Sequence, residues 1–97
     1  MGAMEKSTFT PEYAILRSEL VSVRKNAGLT QREVARRLNV PPSWVAKVEM
    51  GERRIDLVEV CLFSIACDAD PAEVCSRLSA QIVAIQTKRH RKGKRAR

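Results

Sequence analysis

The sequence predicts an all-α domain, and two observations carry that prediction. Helix-start signals, in which a capping Thr or Asp is followed within three residues by Pro or Glu, occur at Thr10, Thr30, Asp56 and Asp70. After each signal, apolar side chains recur three or four positions apart, the spacing of one helix face, and no segment alternates as a strand would. With 97 residues, 44% of them hydrophobic, the chain has room for one small core. We therefore expect a single domain of five helices.

The first helix is expected to start after Thr10. Pro11 fits the first helical turn, where a backbone amide would have no partner, and Glu12 places negative charge near the positive end of the helix dipole. A single apolar stripe follows, formed by Tyr13, Leu16, Leu20, Val23 and Ala27. Gly28 offers the left-handed conformation that commonly ends a helix, so the first helix is expected to stop just before it.

A second, short helix is expected from about Gln31 to Leu38. Thr30 is placed to cap its first amides, and Glu33 is placed to reach back to Thr30, which together make a capping box. Asn39 follows, and asparagine tolerates the positive φ that a tight turn between crossing helices requires. The chain is therefore expected to turn sharply after this helix.

A third helix is expected to open at Pro41 and Pro42, because proline is accommodated in the first helical turn. The second and third helices share an inward set of small and apolar side chains: Val34, Ala35, Leu38, Val45 and Val48. The third helix then presents Pro42, Ser43, Trp44, Ala46 and Lys47 outward. Two short helices joined by a tight turn in this way form a helix-turn-helix motif.

The last two helices also have clear start signals. Asp56 and Glu59 predict a second capping box, with a helix from Leu57 to about Cys67. Asp70 as cap and Pro71 in the first turn predict the fifth helix. Its apolar face continues to about Thr87 through Val74, Leu78, Ile82 and Ile85.

The two chain ends are expected to lie outside the folded part. Residues 88–97 hold seven of the 18 Lys and Arg side chains, so they are expected to form a disordered basic tail, too charged to pack. Residues 1–9 are also expected to be disordered, and residues 1–3 are interpreted as a cloning remnant before a native start at Met4. The folded domain is therefore expected to span residues 10–87.

Residues 20–78 resemble the Cro/C1-type (XRE-like) helix-turn-helix family of bacterial and phage regulators, which includes the lambda-type repressors. The resemblance lies in Thr30-Gln31, in the pattern Val34, Ala35, Leu38, Val40, Val45 and Val48, in Val48-Glu49-x-Gly51-Glu52-Arg53-Arg54, and in Asp70-Pro71-x-Glu73. In two places the sequence departs from the family: Pro41 stands where a capping Ser or Thr is usual, and Asn39 where Gly is usual. The resemblance implies a five-helix, lambda repressor-like DNA-binding domain with an extended fifth helix.

The outward face of the third helix is the expected DNA-reading surface. Ser43 and Lys47 lie one turn apart, where a helix in the major groove brings them to base edges. Pro42 adds apolar contact. The family usually leaves the position of Trp44 exposed near the DNA backbone, where its ring would shelter a thymine methyl or a sugar edge; the alternative is that the ring packs against the turn. We therefore expect Pro42, Ser43, Trp44 and Lys47 to contact bases.

Other residues match family positions with supporting roles. Gln31, Arg53 and Arg54 match positions that contact phosphates and fix the register without reading sequence. Arg24 and Glu49 match a pair that forms a salt bridge between the first and third helices. We therefore expect Arg24 to be structural.

The net charge of +7 is unevenly distributed. Outside the basic tail, the chain carries 11 basic and 11 acidic side chains. Within that neutral part, residues 24–54 hold eight Lys and Arg against three acidic side chains, whereas residues 55–87 hold one Arg against five Asp and Glu. A polyanion is therefore expected to bind the helix-turn-helix side, and the tail to lie along flanking DNA as a sequence-independent polycation.

No residue pattern points to an enzyme, a metal or a cofactor. Cys61, Cys67 and Cys75 are odd in number and lack CxxC spacing, which argues against disulfides and zinc. They are interpreted as small core residues, with redox sensing as the alternative. The lone histidine, His90, lies in the tail, so the folded part holds no nucleophile paired with a histidine base.

The fourth helix is apolar nearly all round, so one small core cannot cover it. Leu62 and Ile65 fall where the family often has charged residues. We expect these two, with Ile82 and Ile85 of the fifth helix, to form a twofold dimer interface away from the DNA. The small size of the recognition helix also predicts a dimer, because one such helix reads only a few base pairs.

These observations predict a sequence-specific transcriptional regulator, a repressor, that binds double-stranded DNA at a palindromic operator as a homodimer. The sequence contains neither a secretory signal nor a stretch apolar enough for a membrane span, so a cytoplasmic, nucleoid-associated protein is expected. One alternative is an antitoxin, which binds its operator and also a toxin protein. A restriction-modification controller is a near variant of the regulator. The remaining alternative is a protein- or RNA-binding adaptor that kept the fold.

Overall fold

The computed structural model describes residues 7–95, with side chains through Arg89. This range contains five α-helices and no strand: α1 (Pro11–Asn26), α2 (Gln31–Leu38), α3 (Pro42–Met50), α4 (Leu57–Ala66) and α5 (Pro71–Arg95). The all-α, five-helix fold is therefore confirmed. The expectations for residues 1–6, including the cloning remnant and the start at Met4, lie outside the described residues, as do those for the side chains of residues 90–97.

Side-chain caps set the starts of α1, α2, α4 and α5; at α5 the Asp70 carboxylate accepts a hydrogen bond from the Ala72 amide at 2.9 Å. Thr30 accepts a hydrogen bond from the Glu33 amide at 3.1 Å, and the Glu33 carboxylate accepts one from the Thr30 amide at 2.8 Å. Asp56 and Glu59 make the same reciprocal pair at 2.8 and 3.0 Å. At α1, the Thr10 hydroxyl accepts from the Tyr13 amide. Because each cap satisfies amides that have no partner within the helix, the helices begin where the sequence predicts.

Left-handed residues end the helices around the motif. Asn39 has φ 59° after α2, and Gly51 has φ 82° after α3. Pro41 precedes α3 without any side-chain cap. The turn between the two helices is therefore made by Asn39, as its chemistry predicts.

The core lies where all five helices converge. Its fully buried large side chains come from every helix: Leu20, Val34, Val45, Val48, Phe63 and Val74. Helix α2 packs on α3 and α4, while α1 packs on α3, α4 and α5. Burying a side chain of this size stabilises the fold by about 1.5–3 kcal/mol, so short helices such as α2 and α3 persist through packing rather than propensity.

Residues 7–9, part of the segment that was expected to be disordered, contact the folded domain. Thr8 is buried, and its hydroxyl donates a hydrogen bond to the carbonyl oxygen of Gly51 at the end of α3. The Phe9 ring lies 5.1 Å from the Arg17 guanidinium. The segment is ordered because Gly51 presents a carbonyl that α3 itself cannot pair.

Helix α5 is longer than predicted, since it continues to Arg95 instead of ending near Thr87. The disordered tail that was predicted from residue 88 is therefore helical as far as residue 95. Two contacts hold the helix against α1 near residue 87, since the Glu12 carboxylate accepts hydrogen bonds from Gln86 at 2.7 Å and from Arg89 at 2.8 Å. Lys and Arg are also good helix formers, so the charge of this segment does not prevent a helix.

Arg37, in the last turn of α2, is paired within the protein. Its guanidinium donates to the Ala66 carbonyl at 2.7 Å and to the Asp68 carboxylate at 3.1 Å. Asp68 itself adopts a left-handed φ of 58° just after α4. Arg37 therefore pairs a terminal carbonyl of α4, a contact that joins α2 to α4.

No helix within residues 7–95 combines the length and the apolar character needed to cross a bilayer.

We expect Asn39→Ala to lower the free energy of unfolding by about 1–2 kcal/mol, because alanine lacks the local hydrogen bonding that helps asparagine adopt positive φ. Asn39→Gly is the matched control and should stay within about 1 kcal/mol of the parent, since glycine adopts this conformation freely. Asn39 is exposed, so packing does not obscure the comparison. Urea denaturation, monitored by tryptophan fluorescence, measures the free energy of unfolding of both variants. Equal decreases in the two variants would contradict the backbone explanation.

Candidate nucleic-acid interface

The exposed face of α3 carries the predicted base-reading residues. Pro42, Ser43 and Lys47 are exposed, and the opposite face is fixed by the fully buried Val45 and Val48. Ser43 and Lys47 are four residues apart, so they lie on the same side of the helix. The core thus holds α3 with these two polar side chains facing outward.

Trp44 is less exposed than predicted. Its side chain is half-buried and packs against the edge of the core. The Arg53 guanidinium lies over the ring, 4.7 Å from its centroid. The ring is therefore partly covered from both the core and the loop after α3, and only the remainder is available to a ligand.

Glu49 lies at the centre of a buried polar cluster that joins α1, α2 and α3. Its carboxylate accepts two hydrogen bonds from Arg24, at 2.7 and 3.0 Å, and one from the side-chain amide of Gln31 at 2.8 Å. The Arg24 and Glu49 side chains are only 12% and 5% exposed. Arg24 also donates to the carbonyl of Leu29 at 3.0 Å, and the hydrogen bond with Glu49 raises the pKa of the guanidinium.

The structure therefore forms the Arg24–Glu49 salt bridge that the family resemblance implies, and it adds Gln31 to that pair. Gln31 was expected to contact phosphate. Its amide nitrogen carries two hydrogens, so donation to Glu49 uses one and leaves one for another acceptor. The role of Gln31 in orienting α2 was not visible in the sequence.

Arg53 was also expected to contact phosphate, but the structure pairs it within the protein. Its guanidinium donates to both Glu59 oxygens, at 3.2 and 3.1 Å, and to the carbonyl of Arg54 at 2.7 Å. The hydrogen bonds with Arg53 lower the pKa of Glu59, and those with Glu59 raise the pKa of Arg53. Each of the two side chains thus stabilises the ionised state of the other.

Arg54 is exposed, and its guanidinium lies 4.9 Å from the Tyr13 ring centroid. The Tyr13 hydroxyl accepts a hydrogen bond from the amide of Ile55 at 2.9 Å. Helix α1 therefore orders the loop that follows α3, and it presents Arg54 at the surface of that loop.

The proposed dimer residues differ in exposure. Leu62 and Ile65 are 50% and 58% exposed on α4, while Ile82 and Ile85 on α5 are half-buried. Leu57 and Val58, which the prediction did not include, are also exposed on α4. Helix α4 therefore presents a larger apolar surface than the two residues that the sequence singled out.

Of the three cysteines that were expected to be core residues, only Cys67 belongs to the buried core. Cys67 is buried, whereas Cys61 and Cys75 are half-buried, and all three are free thiols. Burial raises the pKa of the Cys67 thiol to about 11, so it is protonated at neutral pH. Among the described residues, no three His, Cys, Asp or Glu side chains come close enough together to hold a metal ion.

Comparisons with known proteins agree with this geometry. A family model described as a helix-turn-helix domain matches residues 15–75. Among solved structures, an XRE-family like protein from Pseudomonas syringae pv. tomato str. DC3000 is similar, with a TM-score of 0.69 and 40% sequence identity. The similarity covers 72% of this chain and 85% of that chain. Among curated proteins, none has a sequence that matches this one.

We expect Glu49→Ala to lower the free energy of unfolding by about 3–5 kcal/mol, because it leaves the Arg24 charge buried without its partner. The exposed Arg37–Asp68 pair is the control, and Asp68→Asn should cost less than about 1 kcal/mol. Replacing both members, with Arg24→Leu and Glu49→Leu, should recover part of the loss, since no unpaired charge then remains. Urea denaturation measures the free energy of unfolding of all three variants. If Glu49→Ala lowers it no more than Asp68→Asn does, the role assigned to the Glu49 cluster is contradicted.

Proposed function

Since the chain belongs to the XRE-like helix-turn-helix family and is a DNA-binding regulator, we propose that it represses transcription by binding a palindromic operator as a homodimer. The observation that carries this proposal is the outward face of α3, with Ser43 and Lys47 exposed one turn apart on a helix fixed from behind. A helix of this kind fits the major groove, where Lys47 is suited to guanine O6 and N7. We propose that the protein acts in the cytoplasm and without catalytic activity.

Four residues are assigned to base reading, and they contribute different kinds of contact. Ser43 and Lys47 supply hydrogen-bonding groups, and Pro42 supplies apolar contact at the start of α3. Trp44 contributes only the portion of its ring that the core and Arg53 leave uncovered, which suits contact with a thymine methyl rather than stacking on a base. Specificity on this view comes mainly from the polar pair.

Phosphate contacts are assigned to residues on either side of α3. Gln31 lies at the first turn of α2, where free backbone amides and the helix dipole favour an anion. Arg54 lies exposed in the loop after α3. The cations of residues 88–97 add affinity that does not depend on sequence but falls with salt.

The homodimer is proposed to form through Leu62 and Ile65 of α4 with Ile82 and Ile85 of α5. The exposure of Leu62 and Ile65 supports this, because large apolar side chains that stay half or more exposed mark interaction surfaces. Twofold pairing would place two α3 helices on half-sites one turn of DNA apart.

The same exposed apolar side chains favour one second function, an antitoxin. In that case the surface of α4 would bind a toxin protein instead of, or in addition to, a second copy. A toxin gene next to this one would support the antitoxin. A restriction-modification controller would share the proposed mechanism, with a different regulated gene.

Selection of bound sequences from a random pool of double-stranded DNA tests the proposal directly. A palindromic consensus supports an operator-binding homodimer, and its half-site spacing should correspond to one helical turn. Recovery of no consensus would contradict operator reading and favour a protein- or RNA-binding adaptor that kept the fold.

We expect Lys47→Ala to weaken binding to the selected site by about 1–3 kcal/mol and to relax preference at one base pair, because one base contact is lost. Arg54→Gln is the comparison, and it should weaken binding to all sequences while making the slope of log affinity against log salt shallower by about 0.9. Fluorescence anisotropy on cognate and scrambled duplexes at several salt concentrations separates the two patterns. A uniform loss for Lys47→Ala would make Lys47 a phosphate contact.

We expect the double substitution Leu62→Glu with Ile65→Lys to give a folded monomer that binds the operator far more weakly, because each half-site loses its linked second contact. Phe9→Ser is the control, since it removes an exposed apolar side chain outside the proposed interface. Sedimentation equilibrium gives the oligomeric state, and circular dichroism checks the fold. A double variant that remains dimeric would place the interface elsewhere.

A further inference from the structure

Arg53 connects the start of α4 to the Trp44 ring on α3. Its guanidinium lies 4.7 Å from the ring centroid and donates to both carboxylate oxygens of Glu59 at 3.1 to 3.2 Å. A further hydrogen bond, to the carbonyl of Arg54 at 2.7 Å, fixes the guanidinium from a third direction. Because all three acceptors and the ring hold one planar group, its orientation is well defined.

Glu59 has two roles at once. One oxygen, Oε1, accepts from the Asp56 amide at 3.0 Å as part of the capping box of α4, and it also accepts from Arg53. The carboxylate is therefore fixed relative to the backbone before it holds the guanidinium. The first turn of α4, which lies outside the motif itself, thus reaches the base-reading helix through one side chain.

Resting on the DNA-binding function proposed above, we infer that Arg53 and Glu59 are positioning residues that set the Trp44 ring on α3 and so tune which bases the protein accepts. Neither residue has to reach a base. Arg53 covers part of the indole and limits the positions that the ring can take beside Ser43 and Lys47. With its charge paired to Glu59, Arg53 also contributes little net positive charge toward phosphates.

Glu59→Gln is the variant that separates this role from capping. Glutamine at this position of the capping box still accepts from the Asp56 amide, so the start of α4 is retained. It cannot offer two charged oxygens to the guanidinium. Arg53→Lys removes the planar group and keeps its charge, whereas Arg54→Lys makes the same exchange at a neighbouring arginine that lies over Tyr13 instead.

The first measurement uses the free protein, in which Trp44 is the single tryptophan. Releasing the guanidinium from Glu59, or replacing it with a non-planar ammonium, weakens its contact with the ring. At a partly exposed site this should shift the ring's conformational equilibrium about two- to fivefold toward the uncovered state. Acrylamide quenching of Trp44 should therefore increase in Glu59→Gln and in Arg53→Lys, and stay at the parent value in Arg54→Lys. Unchanged quenching in the first two variants would overturn the inference.

The second measurement repeats selection from the random DNA pool with the same variants. Glu59→Gln and Arg53→Lys should both alter the preferred base at the positions nearest Trp44. The salt dependence of binding should stay unchanged in Arg53→Lys, which conserves the charge. A uniform loss of affinity for all sequences in Arg53→Lys, with the preferred bases unchanged, would overturn the inference and make Arg53 a phosphate contact. If the parent protein selects no consensus, the DNA-reading function fails and the tuning of bases fails with it, while altered quenching would still identify Arg53 and Glu59 as positioning residues.

Discussion

The carboxylate of Glu49 is the interaction on which the geometry of the motif depends most. It lies at the end of α3, receives Arg24 from α1 and Gln31 from α2, and is almost wholly removed from water. Helices of eight and nine residues are not stable in isolation, so their mutual orientation has to come from such tertiary contacts. A charge buried among three helices sets that orientation more narrowly than apolar packing does, because hydrogen bonds are directional.

The proposed DNA surface is accordingly built by residues that do not face DNA. Val45 and Val48 hold α3 from behind, and the Glu49 cluster fixes its last turn. The loop after α3 is ordered by the Tyr13 hydroxyl. Preorganisation of this kind lowers the conformational entropy lost on binding, so more of the contact energy remains as affinity.

Local chemistry explains which parts of the fold could be predicted from the sequence. Capping boxes at Thr30 and Asp56 involve residues three apart, and the left-handed Asn39 depends on its own side chain, so each is readable from a short segment. The exposed Ser43 and Lys47 followed from helical periodicity for the same reason. What the sequence did not reveal are contacts between distant segments, which no local pattern encodes.

Several of those distant contacts involve arginine. Arg37 reaches the end of α4, and Arg53 pairs with Glu59 instead of standing free in the loop. A long, flexible side chain has many partners within reach, and only the packed structure selects one. The length of α5 was missed for a related reason, since Glu12, which holds Arg89, is 77 positions away in the chain.

The antiparallel packing of α5 along α1 also has a consequence for how the chain folds. Arg77 contacts Glu19 across 58 residues, and Gln86 contacts Glu12 across 74, so α1 is partly covered by a helix that lies far along the chain. Closing such long loops is entropically costly and slow compared with forming neighbouring helices. During translation, therefore, the face of α1 that packs on α5 stays exposed until α5 has emerged, and the nascent chain depends most on protection from aggregation in that interval.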